Sequence, residues 1–289
     1  MKILFSPSEA KKKGGESGKI DRDSFIFPNL FEKRMEALTA YHAYISSAKK
    51  DELAKLFGTQ KEELIEYYRS NLLEKESASF LQNPLSEDVR VKRQLRKAKP
   101  EDKSSLRSES LRYGFEGNLV KAIGRYEGVA YEYLNYASLT QDEQNYIDSN
   151  VIIFSNLFGP LLAGDYGIPD YKLKQGEKIG DFVLENFYAE HFKKALDDYL
   201  EDEDIVDLRA DFYQKFYKID RPYLTMRFIK EGKTVSHWAK AYRGTVLREM
   251  AKNNINSTKE AMSMPIKNLA LIEIKELKFK TEIVYEVCE

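Results

Sequence analysis

A short run of large apolar residues near the middle of the chain limits the fold more than any other feature. Residues 151–154 read Val-Ile-Ile-Phe, and Gly159 and Pro160 soon follow and interrupt any regular element. Such a run is typical of a central strand that is buried on both faces and then enters a loop. Residues 2–6 and 205–208 have the same character, so we expect several short strands in one sheet.

The rest of the chain mixes helical and strand-like patterns. Apolar side chains return every third or fourth position in residues 28–69 and 182–200. Residues 223–229 and 233–237 flank a glycine-containing turn, and residues 269–287 alternate with period two. These patterns predict an α+β fold in which helices surround a mixed sheet core.

Length and charge bound the domain organisation. The 289 residues suit one large domain, with a charged insertion predicted at about 83–110. The net charge is only -1, so any contact with DNA needs a local basic patch. Residues 90–99 carry six bases and no acid, whereas 197–204 carry six acids and no base. Each run is either solvated surface or a binding patch.

Several classes of protein are disfavoured by what the sequence lacks. The single cysteine, Cys288, allows no internal disulfide and makes a thiolate metal site improbable. His42, His191 and His237 are scattered without metal-ligand spacing, and no cofactor motif occurs, so we expect neither metal nor cofactor. The first residues lack the apolar stretch of a signal peptide, and no segment approaches the roughly 20 apolar residues of a membrane span. The sequence therefore predicts a cytoplasmic protein without membrane contact.

A helix, a tight turn and a second helix are predicted at residues 53–65. Gly58 is the turn residue, and Thr59 with Glu62 has the spacing of a capping box at the second start. The free N–H groups of that helix end, with Lys61, would suit a phosphate. An ordinary glycine-capped helical pair explains the same pattern.

A second basic element is the helix predicted to begin near Ser236. Lys240, Gly244 and Arg248 recur at every fourth position and so share one face, with Arg243 beside them. Glycine inside a helix is unfavourable, so it indicates either close approach of a ligand phosphate or close packing of another helix. Both interpretations remain open from the sequence.

A loop is predicted from the end of the first strand through Gly18, and its residues 6–15 combine hydroxyls, a carboxylate and clustered lysines. It suits anion binding or catalysis, although it is not the glycine-rich phosphate loop, and a flexible basic loop is the plain alternative.

Asp207 and Arg209, at the end of another predicted strand, are either catalytic or a buried ion pair.

Five segments taken together resemble the YaaA family of bacterial peroxide-stress, DNA-binding proteins. Each segment is short, but their order and spacing are specific. The segments are residues 3–9, 125–131, 155–159 continuing through 168–173, 206–209 and 236–244. The stretch between Gly58 and Arg125 departs from the pattern, since it is longer than in compact members and contains the basic run.

The resemblance implies a mixed α/β fold peculiar to the family, with a positively charged cleft and a helix-hairpin-helix element at residues 57–59. It also implies sequence-independent binding to duplex or branched DNA during oxidative stress. The expected DNA-binding residues are Lys11, Lys12, Gly58, Thr59, Gln60, Lys61, Arg125, Lys240, Arg243, Gly244 and Arg248.

Two other functions compete with DNA binding alone. One is an enzyme acting on DNA or a nucleobase, with Lys240 as a nucleophile of depressed pKa. Convergence of its residues in one cleft favours the enzyme, and dispersal contradicts it. The candidate catalytic residues are Ser6, Glu9, Tyr126, Asp207, Arg209 and Lys240. The other function is an adaptor that binds protein through the acidic run.

Overall fold

The computed structural model describes residues 1–71, 115–234 and 236–288. The predicted insertion at 83–110 and its basic run at 90–99 lie outside these residues. Within the described residues the main sheet has eight strands. They are β1 Lys2–Phe5, β4 Val151–Ser155, β5 Gly159–Leu162, β7 Ile205–Asp207, β8 Tyr223–Lys230, β9 Lys233–Thr234, β10 Leu269–Glu276 and β11 Lys280–Val287.

The main sheet is mixed, as the sequence predicts. Its order is β10-β11-β8-β7-β1-β4-β5, with β9 paired to β8 outside this path. The strands from β11 to β4 run parallel, while β10, β5 and β9 are antiparallel to their neighbours. Parallel strands end at one edge of a sheet, so the segments that follow β1, β4 and β7 meet there.

The strands form where the sequence is apolar enough to be covered on both faces. Every residue of β4 is buried, and so are Ile3, Leu4 and Phe5 of β1. Phe5 pairs in register with Ile153 of β4, and Leu4 pairs with Asp207 of β7. This register places Asp207 at the same sheet edge as the end of β1.

Nine α-helices are present among the described residues, and they pack around the sheets. They are α1 Phe31–Ser47, α2 Lys50–Phe57, α3 Glu62–Asn71, α4 Ala122–Arg125, α5 Val129–Leu134, α6 Gln141–Asn150, α7 Leu184–Tyr199, α8 Ser236–Lys252 and α9 Thr258–Ser263. The helical pattern of residues 28–69 thus resolves into α1, α2 and α3, and that of 182–200 into α7.

A second, three-stranded sheet corrects the expectation that residues 6–18 are loop throughout. It has the order β2-β3-β6, where β2 is Glu16–Lys19, β3 is Glu116–Lys121 and β6 is Tyr166–Ile168. β2 is polar and exposed, and it forms because β3 supplies its backbone partners. A Cβ added at Gly15, just before β2, would lie 2.6 Å from the carbonyl oxygen of Leu119, so the close approach requires glycine.

The predicted hairpin near residue 231 is shorter than expected. β8 and β9 turn at Glu231 and Gly232, both with positive φ. The second strand stops at Thr234, and α8 already begins at Ser236, so residues 236 and 237 are helical.

Helices α5 and α8 cross with their backbones in close contact at Gly244. A Cβ added there would lie 2.0 Å from the carbonyl oxygen of Ala130 and 3.1 Å from the backbone nitrogen of Leu134. Arg248, one turn later, donates from Nη1 to the carbonyls of Leu134 and Asn135 at 2.8 and 3.0 Å. Close helix packing, one of the two interpretations of Gly244, is therefore the arrangement that the structure has.

Replacing Gly244 by alanine should destabilise the protein by about 1–3 kcal/mol, because the added methyl group overpacks a backbone contact. The helix propensity of alanine would favour the variant by up to ~1 kcal/mol and offsets only part of this cost. Urea unfolding measures the difference. Gly124→Ala is the matched control, since a Cβ at Gly124 meets nothing within 4 Å. Equal stability of both variants would contradict the packing described.

Candidate functional site

The loop that follows β1 is tied to the carboxyl edge of the main sheet. The backbone N–H of Ala210, just beyond β7, donates to Ser6 Oγ at 2.8 Å, and the Tyr131 hydroxyl on α5 donates to the Ser6 carbonyl at 2.9 Å. The edge beyond parallel strands is where α/β proteins commonly bind ligands. Ser6 is thus held at a favourable location by its neighbours in two other elements.

Arg125 fixes the remainder of this loop from beneath. Its side chain is fully buried, and its guanidinium donates to the carbonyls of Lys12, Gly14, Asn118 and Ile168, the last three at 3.0, 2.7 and 3.0 Å. The sequence predicts Arg125 as a DNA contact, but the structure directs its donors to backbone carbonyls. Its observed contacts join the loop to the small sheet.

Lys11 is the buried amine of this region. The residue is 6% exposed, and Nζ lies 4.1 Å from the centroid of the Tyr171 ring and 5.6 Å from that of Tyr126. Nζ donates to the Ser8 carbonyl at 3.3 Å, and no described carboxylate lies within ion-pair distance. Burial, reinforced by the positive charges of Lys172 and Arg125, lowers the pKa of Lys11 to about 7, and the negative charges of Asp170 and Glu9 oppose this only in part.

The hydroxyls of the two tyrosines belong to a buried hydrogen-bonded chain. The hydroxyls of Tyr126 and Tyr171 are 3.2 Å apart, and Tyr171 is 2.8 Å from Ser155 Oγ, which accepts from the N–H of Phe158 at 3.0 Å. Burial raises the pKa of both tyrosines, so the hydroxyls stay protonated at neutral pH. The rings that flank Lys11 are therefore fixed in orientation.

Two oxygens close to these groups in the fold have no hydrogen-bond partner within the described part of the chain. They are Oδ1 of Asp170 and Oδ1 of Asn156, and both residues are more than nine-tenths buried. The other carboxylate oxygen of Asp170 accepts from the Tyr67 hydroxyl at 2.7 Å. Burial raises the pKa of Asp170, although the Tyr67 hydrogen bond and the charges of Arg125 and Lys11 oppose this. Buried oxygens of this kind are unusual and indicate an available acceptor.

Asp207 and Arg209 form the buried ion pair that was one of their two interpretations. Arg209 donates from Nε and Nη2 to the two carboxylate oxygens of Asp207 at 2.8 and 2.9 Å. Its Nη1 donates to the carbonyls of Tyr213 and Tyr217. All three guanidinium nitrogens of Arg209 and both carboxylate oxygens of Asp207 therefore have hydrogen-bond partners. This arrangement suits a structural role at the sheet edge.

The residues of the basic face predicted on α8 differ in their exposure to solvent. Lys240 is exposed. Arg243 is largely covered, and burial lowers its pKa while the nearby charges of Asp211 and Asp207 raise it. Gly244 and Arg248 contact α5, as described above. Of this helix, Lys240 is thus the candidate cation that is open to solvent.

The helical pair at Gly58 is present, but without the predicted capping box. Gly58 has a φ of 63° and ends α2, and the Thr59 N–H donates to the Ala54 carbonyl at 3.0 Å. α3 begins only at Glu62, whose carboxylate pairs with Lys50 at 2.6 Å. Thr59 Oγ1 instead accepts from the Lys61 N–H at 3.2 Å. Gln60 and Lys61 are exposed, and phosphate binding by this turn stays a prediction.

The structure brings most, though not all, of the predicted catalytic residues to one place. Ser6, Tyr126, Asp207 and Arg209 lie at or beneath the carboxyl edge. Glu9 lies on the loop surface, where Oε1 accepts from the N–H of Gln175 at 3.0 Å. Lys240 is on α8, and no described contact joins it to the others.

Sequence reasoning missed four polar groups of this region. One ends β4, one directly follows it and two follow β6. Their segments belong to the pieces that carry the family resemblance, which was the available signal. The four residues are Ser155, Asn156, Asp170 and Tyr171.

No helix in the described part of the chain combines the length and apolar character needed to cross a bilayer. In the same residues, no group of three or more His, Cys, Asp and Glu side chains is placed to hold a metal ion.

Comparison with known proteins gives matches along nearly the full chain. The sequence model of a family described as "Peroxide stress protein YaaA" matches residues 1–274. An uncharacterized protein of Campylobacter jejuni is 42% identical over 289 residues, which is 100% of both chains. A UPF0246 protein of Lactobacillus helveticus is 24% identical over 90% of this chain and 87% of its own. One from Corynebacterium efficiens is 28% identical over 89% and 88%.

Burial of Lys11 should make the stability of the protein depend on pH in a defined direction. Its pKa is about 7 when folded against 10.5 ordinarily, so between these values the unfolded chain binds a proton that the folded chain lacks. Stability due to this group therefore rises with pH across that window, by up to about 1.4 kcal/mol per unit. Lys11→Met removes the dependence, so its stability relative to wild type is greatest at pH 6 and falls towards pH 10.

Urea unfolding of both proteins at several pH values checks this expectation. Lys12→Met is the control, because Lys12 is the exposed neighbour in the same loop. A difference between Lys11→Met and wild type that stays constant from pH 7 to 10 would show that the amine is not desolvated.

Proposed function

The chain belongs to the family of the peroxide stress protein YaaA, and from this premise and the charges around the site we propose that it binds DNA. The binding is independent of sequence and uses contacts between exposed cations and phosphates. Such contacts fix the position of a protein on DNA without reading its bases. The preferred partner is duplex or branched DNA.

The observation that carries this proposal is a group of lysines around the buried amine, which we call the loop lysines: Lys12, Lys13 and Lys172. Lys12 and Lys13 are exposed, and Lys172 is partly so. Lys13 Nζ lies 4.3 Å from the Tyr67 ring centroid, and Lys172 Nζ donates to the Glu9 carbonyl at 3.0 Å. Because Arg125 holds the loop after β1, Lys12 and Lys13 are presented by a fixed backbone, and Lys172 is joined to the same loop through the Glu9 carbonyl. A fixed group of cations suits a phosphate chain.

Several residues expected to bind DNA are better explained by internal contacts. Arg125 and Arg248 donate to backbone carbonyls, Gly244 is covered by the Ala130 carbonyl, and Arg243 faces acidic residues. We therefore assign the phosphate contacts to the loop lysines, with Lys61 and Lys240 as additional exposed cations.

The turn between α2 and α3 has a smaller part in this proposal. It lies beside the site, because the N–H of Lys174 donates to the Leu56 carbonyl at 2.8 Å. However, Glu62 and Glu63 occupy the first turn of α3 and oppose a phosphate at that helix end. The contribution of the turn then comes from Lys61 and Gln60 rather than from the helix dipole.

An enzyme acting on DNA or a nucleobase is the second candidate function. It is favoured by the position of Ser6, Tyr126 and Lys11 at the carboxyl edge, where the loop after β1 meets buried polar groups. In this alternative the amine is that of Lys11, since Lys240 is exposed on a different element.

Removal of two loop lysines should weaken binding and reduce its dependence on salt. Each phosphate contact contributes about 0.9 to the slope of log K against log salt for duplex DNA. Lys12→Ala/Lys13→Ala is thus expected to lower the slope by up to about 2. A salt titration with labelled duplex and four-way-junction DNA measures it. The matched control is Lys194→Ala/Lys259→Ala, which removes the same charge from other surfaces. No wild-type binding at low salt, or equal effects of both variants, would sink the proposal.

Lys61→Ala tests the helical turn separately. Its expected effect is a slope lower by about 1, without loss of stability, because Lys61 is exposed. Lys55→Ala, on the same helical pair but facing Glu177 at 3.6 Å, should leave the slope unchanged. These variants are preferable to a substitution of Gly58, whose positive φ makes any side chain there strained. If Lys61→Ala binds like wild type, the turn makes no phosphate contact.

A further inference from the structure

We propose that Lys11 is an amine nucleophile that forms a Schiff base with an aldehyde, which is either a free small aldehyde or the opened sugar of an abasic site in DNA. Only the second source rests on the proposed DNA binding. Reaction with a free aldehyde requires nothing beyond the buried site itself.

The contacts of Lys11 are unlike those of a lysine kept for stability. Buried lysines are ordinarily paired with a carboxylate, because an isolated buried charge is costly. Here Nζ packs against the Tyr171 ring and has the Ser8 carbonyl as its one described hydrogen-bond acceptor. The folded protein therefore accommodates this amine in surroundings that favour its neutral form.

The neutral form is the one that reacts with carbonyl carbon. With burial lowering the pKa of Lys11 to about 7, about half of these amines are neutral at pH 7. An exposed lysine with an ordinary pKa has a neutral fraction roughly a thousandfold smaller at that pH. Lys12 and Lys13 are the exposed lysines beside it in the same loop, so they provide an internal comparison.

The step is balanced without any added redox partner. The lone pair of neutral Nζ forms a bond to the aldehyde carbon, and the π electrons of the carbonyl move to its oxygen, which takes up a proton. Loss of water then breaks the carbon–oxygen bond and leaves the C=N bond of the imine. The two hydrogens of that water are the two that the neutral amine carried.

The neighbouring groups suit an aldehyde that also carries hydroxyls, as sugars do. Asp170 is close enough for its charge to act on Lys11, and Asn156 directly follows Ser155 of the hydroxyl chain. The Oδ1 atoms of both are buried acceptors without a partner among the described residues, and a substrate hydroxyl would satisfy them. The rings of Tyr126 and Tyr171, fixed by their hydroxyl chain, limit the water around the amine. Asp170 and Asn156 would thus act as positioning residues.

The test is trapping of the imine with borohydride, which reduces it to a stable secondary amine. The probes are glycolaldehyde, an oligonucleotide duplex with one abasic site, and the same duplex intact. Peptide mass mapping of the wild-type protein then locates the adduct. We expect modification of Lys11 at least tenfold above Lys12 with one or both aldehydes, and none with intact duplex.

The pH of the reaction gives a second readout that a merely structural lysine would not provide. The Lys11 adduct formed in a fixed short time should fall about tenfold from pH 8 to pH 6, following the neutral fraction. Lys11→Arg should lose the adduct while Lys12→Arg keeps it. Because mapping uses the wild type, the result does not depend on whether a Lys11 variant folds.

Adducts confined to exposed lysines, or absent with both aldehydes, would overturn the proposal. An adduct on Lys11 with glycolaldehyde but not with the abasic duplex supports it and identifies a free aldehyde as the source. The salt titration tests the proposed DNA binding independently of the trapping experiment. A protein that fails to bind DNA yet forms the glycolaldehyde adduct refutes the proposed DNA binding and leaves the Schiff base standing.

Discussion

The candidate site depends on the hydrogen bonds that the buried guanidinium of Arg125 donates to backbone carbonyls. It gathers carbonyl oxygens from the loop after β1, from β3 and from the end of β6. Each of these carbonyls would otherwise need another donor, and a buried carbonyl left unpaired costs about 1–3 kcal/mol. Because the loop is held in this way, Lys11 lies against two tyrosine rings while Lys12 and Lys13 face solvent. The buried charge of Arg125 thus fixes the loop conformation in which Lys11 is desolvated while Lys12 and Lys13 remain solvated.

The sequence was informative where structure is decided locally. Residues 151–154 are apolar enough to require burial on both faces, and they form β4, an interior strand that is fully buried as predicted, although it lies next to the edge strand β5 rather than at the centre of the sheet. β2 was missed because its residues are polar and glycine-rich. Its strand exists only through pairing with β3, a partner about a hundred residues away. The mixed α/β class could therefore be predicted, whereas the small sheet could not.

Only part of the candidate site could be predicted from the sequence, for a related reason. Polar residues at or just after strand ends were singled out at Ser6, Asp207 and Arg209, and the structure places all three at the carboxyl edge of the main sheet. Whether a cation is solvated or buried, however, depends on what the rest of the chain places around it. Arg125 and Lys12 are both basic residues near glycines in sequence, yet one is fully buried and the other exposed. Similarly, the pattern around Gly244 fits a phosphate or a helix, and only the position of Ala130 decides between them.

The chemistry of the groups around Lys11 has a consequence for a protein of a peroxide-stress family. The site is made of amine, phenol, hydroxyl, amide and carboxylate side chains, and the chain's one thiol, Cys288, is exposed near its last residue. Hydrogen peroxide attacks thiolates first, and none of the site's groups is on that oxidation pathway. The groups of the site can therefore keep their structure at oxidant concentrations that oxidise catalytic cysteines.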